Sequence, residues 1–477
     1  MTSGRWLGLG VVLAFASVGV ACGDDDGGGG SAGTGGSSGG GAGGGGGSGA
    51  SGGAAGGGGG ATGGGAGVSG GGGSSGGGGS SGGGGSGGAG TGGAGSCLAG
   101  DFLASLGKSK TLVGASMADD IAKAAPFDVR YLYLSGGIAD GAGPCAKCDT
   151  GCTAAGTSCA NSGPGCAWWG CWQYDKDPPG AYARNFVQKA KADGQIPMLT
   201  YYMLLQASGV AEGAAEVTKA NDATFMARYY ADWRFVVQQV GSDVAFLHLE
   251  PDFWGYAQQV NDDPAKIPAA VASANATDCG SLPNTIAGMG QCLIAMSKKY
   301  APNAKVSLHG SGWATKFDVL LNKDPTFDVA GHADKLGKFL AAAGPNADFV
   351  VIDAADRDAA WYESQGQNRW WDATNATLPN FTQAFAWAKA LGESAKKPVF
   401  WWQLPVGNMS LPNQNEKWKD NRVDYFLTHM NEVAAAHGVG AAFGSGMGGQ
   451  TNPSTDGGNL VNKVKAYASG GGQAACP

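Results

Sequence analysis

The sequence predicts an α/β fold, a (β/α)8 barrel of the TIM type with a cysteine-rich insertion after the second strand. Eight short β-type runs occur between residues 112 and 444, and segments with helical periodicity separate most of them. Strand and helix repeated eight times is typical of a parallel barrel with crossover helices. An open doubly wound sheet is the alternative, but no glycine-rich phosphate loop follows the first strand.

The predicted strands are short runs of apolar and β-branched residues. In chain order they are Leu112–Ala115, Val129–Leu134, Ile196–Tyr202, Val244–Glu250, Lys305–His309, Asp348–Asp353, Pro398–Gln403 and Gly440–Gly444.

The predicted helices carry apolar residues at i, i+3, i+4 spacing, and several end in glycine or lysine, as helix C-termini often do. They cover residues 185–194, 225–241, 284–300, 381–397 and 425–438.

The chain divides into three predicted parts: a signal peptide over 1–22, a Gly/Ser-rich disordered linker over 23–96, and the barrel domain over 97–477. Arg5 precedes an apolar stretch that is too short to span a membrane, which is typical of an export signal. Gly19-Val20-Ala21-Cys22 resembles the lipobox of bacterial lipoproteins. That resemblance implies a lipidated Cys22, anchoring in the outer membrane and a cell-surface protein; cleavage and extracellular release is the alternative.

The net charge of the chain limits the class of partner that it can bind. The net charge of −7 argues against nucleic acid or an anionic membrane surface as a partner. We expect a monomer that needs no cofactor and no metal.

The ten cysteines that follow Cys22 predict disulfides in an exported protein. Six of them lie between Cys145 and Cys171, where three disulfides are favoured over a zinc site because no histidine is near. Cys279 with Cys292 and Cys97 with Cys476 are the other candidate pairs.

Polar and aromatic residues gather where the predicted strands end, and in such barrels these ends form the active site. Indole faces stack on sugar rings, so a cleft lined by tryptophan suits a carbohydrate; the alternative is that several of these aromatics pack under loops. The predicted substrate contacts are Trp169, Trp172, Tyr202, His248, Trp254, His309, Trp313, Trp401, Trp402 and Gln403.

Glycoside hydrolysis requires two carboxyl groups on either side of the bond. The fourth strand offers Glu250 and Asp252, which a period of two places with His248 on one face. The sixth strand offers Asp353 and Asp356. We therefore expect Glu250 or Asp252 as general acid and Asp353 or Asp356 as base.

Leu249-Glu250-Pro251 resembles the Asn-Glu-Pro that ends strand 4 in the large clan of retaining (β/α)8 glycosidases. The resemblance implies that Glu250 is the acid/base. This sequence departs from the clan's pattern at Leu249. It departs again at Gln403, which lies on strand 7 where the clan places its nucleophilic glutamate.

The same region also resembles inverting family 6 cellulases, whose strand end reads Ile/Leu-Glu-Pro-Asp and whose Asp-Ala-Gly-His-Ala-Gly-Trp segment is similar to 308–313. This resemblance implies that Asp252 is the acid. This sequence departs from that family's pattern because it lacks the Arg-Asp-Cys segment after an early strand.

Purely structural interpretations remain open for the same residues. Glu250 could pair with an arginine such as Arg357, and Asp356 and Asp358 on either side of Arg357 could form a solvated, salt-bridged turn. A metal site formed by His248, Glu250, Asp252 and His309 is chemically feasible but follows no spacing motif.

The sequence therefore predicts a surface-anchored or secreted glycoside hydrolase that acts on a polysaccharide or oligosaccharide, with a β-glucan-like substrate favoured. The alternative is a carbohydrate-binding surface lipoprotein on a catalytically inactive barrel, which Gln403 favours.

Overall fold

The computed structural model describes residues 97–135, 138 and 180–476. Eight parallel strands, each paired with the next in the chain, form a barrel that the β1–β8 pair closes. The strands are β1 (Leu112–Ala115), β2 (Val129–Ser135), β3 (Ile196–Tyr202), β4 (Phe246–Leu249), β5 (Lys305–Gly310), β6 (Phe349–Asp353), β7 (Val399–Leu404) and β8 (Gly438–Phe443).

Helices between the strands form the outer layer. Within the described ranges they are α1 (Leu98–Ala104), α2 (Asp119–Ala124), α3 (Ala181–Ala192), α4 (Leu204–Ser208), α5 (Ala214–Lys219), α6 (Ala223–Val240), α7 (Phe253–Val260), α8 (Ala276–Cys279), α9 (Ile286–Tyr300), α10 (Val329–Ala343), α11 (Ala359–Ser364), α12 (Phe381–Ala395), α13 (Arg422–Thr428), α14 (Met430–Ala435) and α15 (Asn459–Ser469). Two 3-10 turns occur at Pro264–Lys266 and Val319–Leu321.

Local sequence explains where the long helices begin. The Asp222 carboxylate accepts hydrogen bonds from the N–H groups of Thr224 and Phe225 at 3.0 and 3.1 Å. Thr285 and Asn380 cap α9 and α12 in the same way. These side chains satisfy N–H groups that have no partner inside the first helical turn.

The prediction of a (β/α)8 barrel is confirmed, and all eight predicted strands are present. The bounds differ at β4, which begins at Phe246 rather than Val244 and ends at Leu249 rather than Glu250, and by as many residues at β8. Val244 is 46% exposed and so belongs to the loop before the strand. Glu250 has a backbone φ of 47°, outside the range of an extended strand.

Aromatic side chains fill the lower half of the barrel interior. Phe246, Phe349 and Phe400 point inward from three strands, with ring centroids 5.1 to 6.4 Å apart. Phe102 of α1 closes this end of the barrel, 5.8 Å from Phe246 and 5.1 Å from Phe349. The interior is therefore a packed core at the N-terminal end, and polar side chains are confined to the C-terminal end.

Two of the predicted disulfides are confirmed. Cys97 pairs with Cys476, which ties the two ends of the barrel domain together, and Cys279 pairs with Cys292 across a separation of 13 residues. The six cysteines between Cys145 and Cys171 lie outside the described residues. Among the helices that the structure describes, none is long and apolar enough to cross a membrane.

Candidate active site

The region at the C-terminal ends of the strands is here called the mouth. Alternation along β2, β3, β4, β5 and β6 turns every second side chain toward the barrel axis. The inward positions nearest the mouth are Tyr133, Tyr202, His248, His309 and Asp353. The ends of five strands thus bring phenol, imidazole and carboxyl groups together.

The segment after β4 has an unusual backbone. Glu250 and Asp252 have φ values of 47° and 69°, in the left-handed region that residues with a side chain rarely occupy, and they flank Pro251. The period of two that the sequence suggests therefore stops at Leu249. As a result, Glu250 and Asp252 lie in different surroundings even though only one residue separates them.

Glu250 lies beneath the loop that follows β3. Its Oε1 atom accepts hydrogen bonds from the N–H groups of Met203 and Leu204, at 3.2 and 3.0 Å, and from the Tyr229 hydroxyl at 2.7 Å. Tyr229 belongs to α6, in the layer outside the barrel. The Glu250 side chain is 0% exposed, so it holds the loop to α6 rather than facing the mouth.

These contacts favour Asp252 over Glu250 for the predicted role of general acid, because they join the Glu250 carboxyl group to the loop after β3 and to α6. The alternative that Glu250 pairs with Arg357 is wrong, since the Arg357 guanidinium binds the Asp356 carboxylate.

Burial raises the pKa of Glu250 to about 8, although the hydrogen bonds from Tyr229, Leu204 and Met203 oppose the shift. Burial likewise raises the pKa of Glu216, on α5 in the same loop, to about 9, and the nearby Glu250 adds to this shift. Both groups are therefore neutral acids in the folded protein near pH 7.

Asp252 is the carboxyl group that reaches the mouth from β4. It does not cap α7, and part of its surface remains exposed. Desolvation by the surrounding walls raises its pKa to about 7, with further contributions from Asp353 and Glu212, while His309 opposes the shift. A carboxyl group with this pKa carries a proton for part of the time at neutral pH and can donate it.

A row of buried polar groups crosses the barrel below Asp353. Thr200 Oγ1 lies 3.2 Å from His248 Nδ1, and His248 Nε2 lies 3.0 Å from His309 Nδ1. His309 Nε2 lies 3.3 Å from Asp353 Oδ1, a contact at ion-pair distance that lacks hydrogen-bond alignment. The ring of Trp402 packs edge-on against His248 at 4.6 Å.

Asp356 lies at the edge of the mouth and is partly exposed. Its carboxylate binds the Arg357 guanidinium and accepts a hydrogen bond from the Tyr362 hydroxyl. The Arg357 guanidinium also lies 4.8 Å from the Trp361 ring. The predicted salt-bridged turn is therefore present at Asp356 and Arg357.

Asp358 differs from the prediction of a solvated group because it is buried. It accepts hydrogen bonds from the N–H groups of Gly407 and Thr451 at 2.9 and 2.8 Å, and so joins the loops after β6, β7 and β8.

Two of the residues predicted to stack on sugar are buried. Trp254 is fully buried and donates its indole N–H to the Leu249 carbonyl at 2.9 Å. Trp401 points outward from β7 and packs against Phe385 and Phe426 in the helical layer. The alternative that several of these aromatics pack under loops applies to this pair.

The floor of the mouth consists of buried side chains. His248, His309 and Trp402 are 0, 1 and 2% exposed, and His248 contacts Thr200, His309 and Trp402. Among the predicted aromatic contacts, Tyr202 and Trp313 remain partly exposed. Trp169, Trp172 and Cys22 lie outside the described residues.

Gln403 ends β7 with a φ of 54° and accepts a hydrogen bond from the Tyr133 hydroxyl. A side chain at Gly446 would place its Cβ 2.3 Å from Gln403 Nε2, so the glycine permits the close approach of the loop after β8. Tyr133 was not among the predicted site residues, although it is two residues after Tyr131 on β2, a spacing that places both side chains on the same face of the strand. Thr200, Glu216 and Tyr229 were also not predicted, and only the packing reveals them.

Among the described residues, no group of three or more His, Cys, Asp or Glu side chains is arranged to hold a metal ion. The carboxyl groups at the mouth can donate and accept protons.

The protonated state of Glu250 predicts a pH-dependent stability. Since its pKa is about 8 when folded and about 4.5 when unfolded, the folded state binds more protons in this interval. The contribution of Glu250 to the free energy of unfolding is complete below pH 4.5. This contribution is lost as the pH rises through 8, by at most about 1.4 kcal/mol per pH unit. Glu250→Gln keeps the acceptor oxygen without the titration, so urea unfolding between pH 5 and 9 should show a smaller decline in the variant. Equal declines would contradict this.

No family model matches the chain, and no curated protein is similar to it at a significant level. Solved structures with a similar architecture include an endo-β-1,4-mannanase from Cellulomonas fimi, with 11% identity over 78% of this chain and 74% of that one and a TM-score of 0.41. A family 5 mannosidase from Rhizomucor miehei has 10% identity, coverage of 76% and 92%, and a TM-score of 0.38. An endoglucanase from Thermotoga maritima has 8% identity, coverage of 77% and 99%, and a TM-score of 0.39. Similarity at this level concerns the barrel architecture alone.

Proposed function

We propose that the protein is a glycoside hydrolase in which Asp252 is the general acid and Asp353 is the general base. The observation that supports this most strongly is the pair of partly exposed carboxyl groups at the mouth, one from the end of β4 and one from the end of β6. Asp252 has a pKa of about 7, which suits a proton donor, and Asp353 contacts the buried His309.

In the proposed reaction Asp252 donates its proton to the glycosidic oxygen as the bond to the anomeric carbon breaks. Asp353 accepts a proton from a water molecule as the water oxygen bonds to the same carbon. The two steps together consume one water and leave both products neutral. Asp356 is a poorer candidate for the base because Arg357 and Tyr362 already bind its carboxylate.

The identity of Gln403 favours inversion of configuration. An amide cannot form the glycosyl ester that a retaining mechanism needs, and this residue stands where β7 meets the mouth. Water must then attack directly, on the face of the sugar opposite the leaving group.

The substrate we propose is a polysaccharide or oligosaccharide, with a β-glucan-like chain favoured. Tyr256 and Trp313 lie side by side beyond β4 and β5, with ring centroids 4.6 Å apart, and both keep part of their surface exposed. Together with Tyr202 they provide flat apolar faces beside the carboxyl groups, which suits stacking on pyranose rings.

We further propose that the protein acts at the cell surface, anchored through a lipidated Cys22. The apolar stretch and the lipobox-like junction support export and anchoring.

A second candidate function is sugar binding without catalysis, and Gln403 is the observation that favours it. A binding protein would retain polysaccharide in a pull-down assay and release no reducing ends, whereas the proposed enzyme would release them.

Amide substitutions test the acid and the base. Asp252→Asn and Asp353→Asn should each lower kcat at least about 100-fold, because each removes a proton transfer from the reaction. Activity is measured as reducing ends released from a panel of polysaccharides that includes β-glucans, after circular dichroism has verified folding.

Glu250→Gln is the matched control for Asp252→Asn, since both replace a carboxyl group in the same segment by an amide. It should keep kcat within a few fold of the wild type. Loss of activity in this variant with full activity in Asp252→Asn would overturn the assignment of the acid.

The stereochemistry of the product tests the role of Gln403. Proton NMR of the first sugar released should show the anomer opposite to that of the substrate bond. A product that keeps the configuration would exclude direct attack by water and point to a nucleophilic residue.

The location is tested by the mass of the protein expressed with its own N-terminus in a Gram-negative host. The membrane fraction should contain a chain that begins at a diacylated Cys22, and Cys22→Ala should release the protein from that fraction. An unmodified Cys22 in a soluble chain would overturn the anchoring.

A further inference from the structure

The row of polar groups beneath Asp353 is isolated from solvent and contains few hydrogen-bonding partners. His248 and His309 are 0 and 1% exposed. Burial and the neighbouring His309 hold the pKa of His248 well below its usual range, so its imidazole is neutral. A neutral imidazole has one N–H donor and one acceptor nitrogen, which restricts the possible arrangements to two.

In the first arrangement, Thr200 donates its hydroxyl proton to His248 Nδ1 and His248 donates from Nε2 to His309 Nδ1. His309 then carries its own proton on Nε2 and directs it at the Asp353 carboxylate, 3.3 Å away. Each hydrogen bond in this row then joins a donor to an acceptor, and the Nε2–H of His309 lies at ion-pair distance from the Asp353 carboxylate.

In the second arrangement, His248 donates from Nδ1 to Thr200, and its Nε2 accepts from His309 Nδ1. A neutral His309 would then face the Asp353 carboxylate with the lone pair of Nε2, which is repulsive. Avoiding this would require a second proton on His309, that is, a buried imidazolium whose desolvation the pairing with the Asp353 carboxylate would have to offset.

We propose that Thr200, His248 and His309 form a hydrogen-bonded chain with one fixed direction, which orients Asp353 for its role as general base. The proposal rests on the proposed function for the role of Asp353, but the direction of the chain does not. His309 and His248 are positioning residues because neither is placed to touch a sugar.

The 3.3 Å contact between His309 Nε2 and Asp353 fits this role, since such contacts are often long and poorly aligned before a substrate binds. Trp402 fixes the rings from the side, with its centroid 4.6 Å from His248 and 5.9 Å from His309. The titratable groups whose charge acts on Asp353 from other elements are Tyr133, Asp252, His309 and Asp318. Tyrosine and aspartate become anions when they lose a proton, whereas an imidazolium that loses a proton becomes neutral. Within this set, His309 is therefore the group that can donate to the Asp353 carboxylate without repelling it by negative charge.

Nitrogen NMR of the complete protein labelled with 15N-histidine tests the direction without any assay of activity. The chain has five histidines, and the His248 and His309 signals are assigned from the His248→Gln and His309→Gln spectra. Near pH 7, His248 should be the Nε2–H tautomer, and Thr200→Val should leave that tautomer in place, because the direction is fixed at the Asp353 end of the row. An Nδ1–H tautomer for His248 in the wild type would overturn the proposal.

Kinetics test the effect on Asp353. His309→Gln should lower kcat by about tenfold or more with little change in KM, because Asp353 loses the group that orients it while the sugar-binding surface stays the same. Thr200→Val should lower kcat by a smaller factor. An unchanged kcat in both variants, or a loss that appears only as a rise in KM, would contradict the proposal.

Thr428→Val is the matched control. Thr428 Oγ1 lies 2.9 Å from His429 Nδ1, a threonine–histidine contact at the exposed C-terminal end of α13. This variant should keep the wild-type kcat and KM. If the wild type hydrolyses no polysaccharide, the proposed function fails while the tautomer measurement still decides the direction of the chain.

Discussion

Closure of eight parallel strands into one barrel is the constraint on which the rest of the structure depends. Closure removes the sheet edges and directs alternate side chains into a single interior that must be filled completely. The lower part is filled by Phe246, Phe349 and Phe400, and α1 covers it from below. Polar side chains are therefore excluded from that end, and the histidines, tyrosines and carboxyl groups accumulate at the other, where the strands lead into long loops.

The chemistry at the mouth depends on where this alternation stops. Glu250, Asp252 and Gln403 all have positive φ, and they lie at the ends of β4 and β7. Such conformations cost free energy and persist only when the surroundings enforce them. At Glu250 the enforcing contacts are the N–H groups after β3 and the Tyr229 hydroxyl. The strained turn buries one acid as a structural group and brings the next one, Asp252, into the mouth.

The sequence was sufficient for the barrel because apolar runs and amphipathic helices are local patterns, and β1 and β3 have the predicted bounds. It was insufficient for the acids because a period of two predicts one face for both Glu250 and Asp252, whereas their backbone leaves the strand conformation. Trp401 and Trp402 differ from this case, since alternation along β7 by itself requires adjacent residues to face opposite layers. The partners of His248 and Glu250 come from strands and helices distant in sequence, so no local pattern indicates them.

The central claim is that Asp252 and Asp353 lie on opposite sides of the bond that is cleaved while Glu250 remains buried. A crystal structure of Asp252→Asn with a bound oligosaccharide tests this most directly. The account predicts that residue 252 lies within hydrogen-bond distance of a glycosidic oxygen and that Asp353 lies on the opposite face of the sugar ring. It also predicts a separation of about 6.5 to 9.5 Å between the two carboxyl positions, with room for a water. A sugar seated on Glu250, or one that binds away from both aspartates, would contradict it.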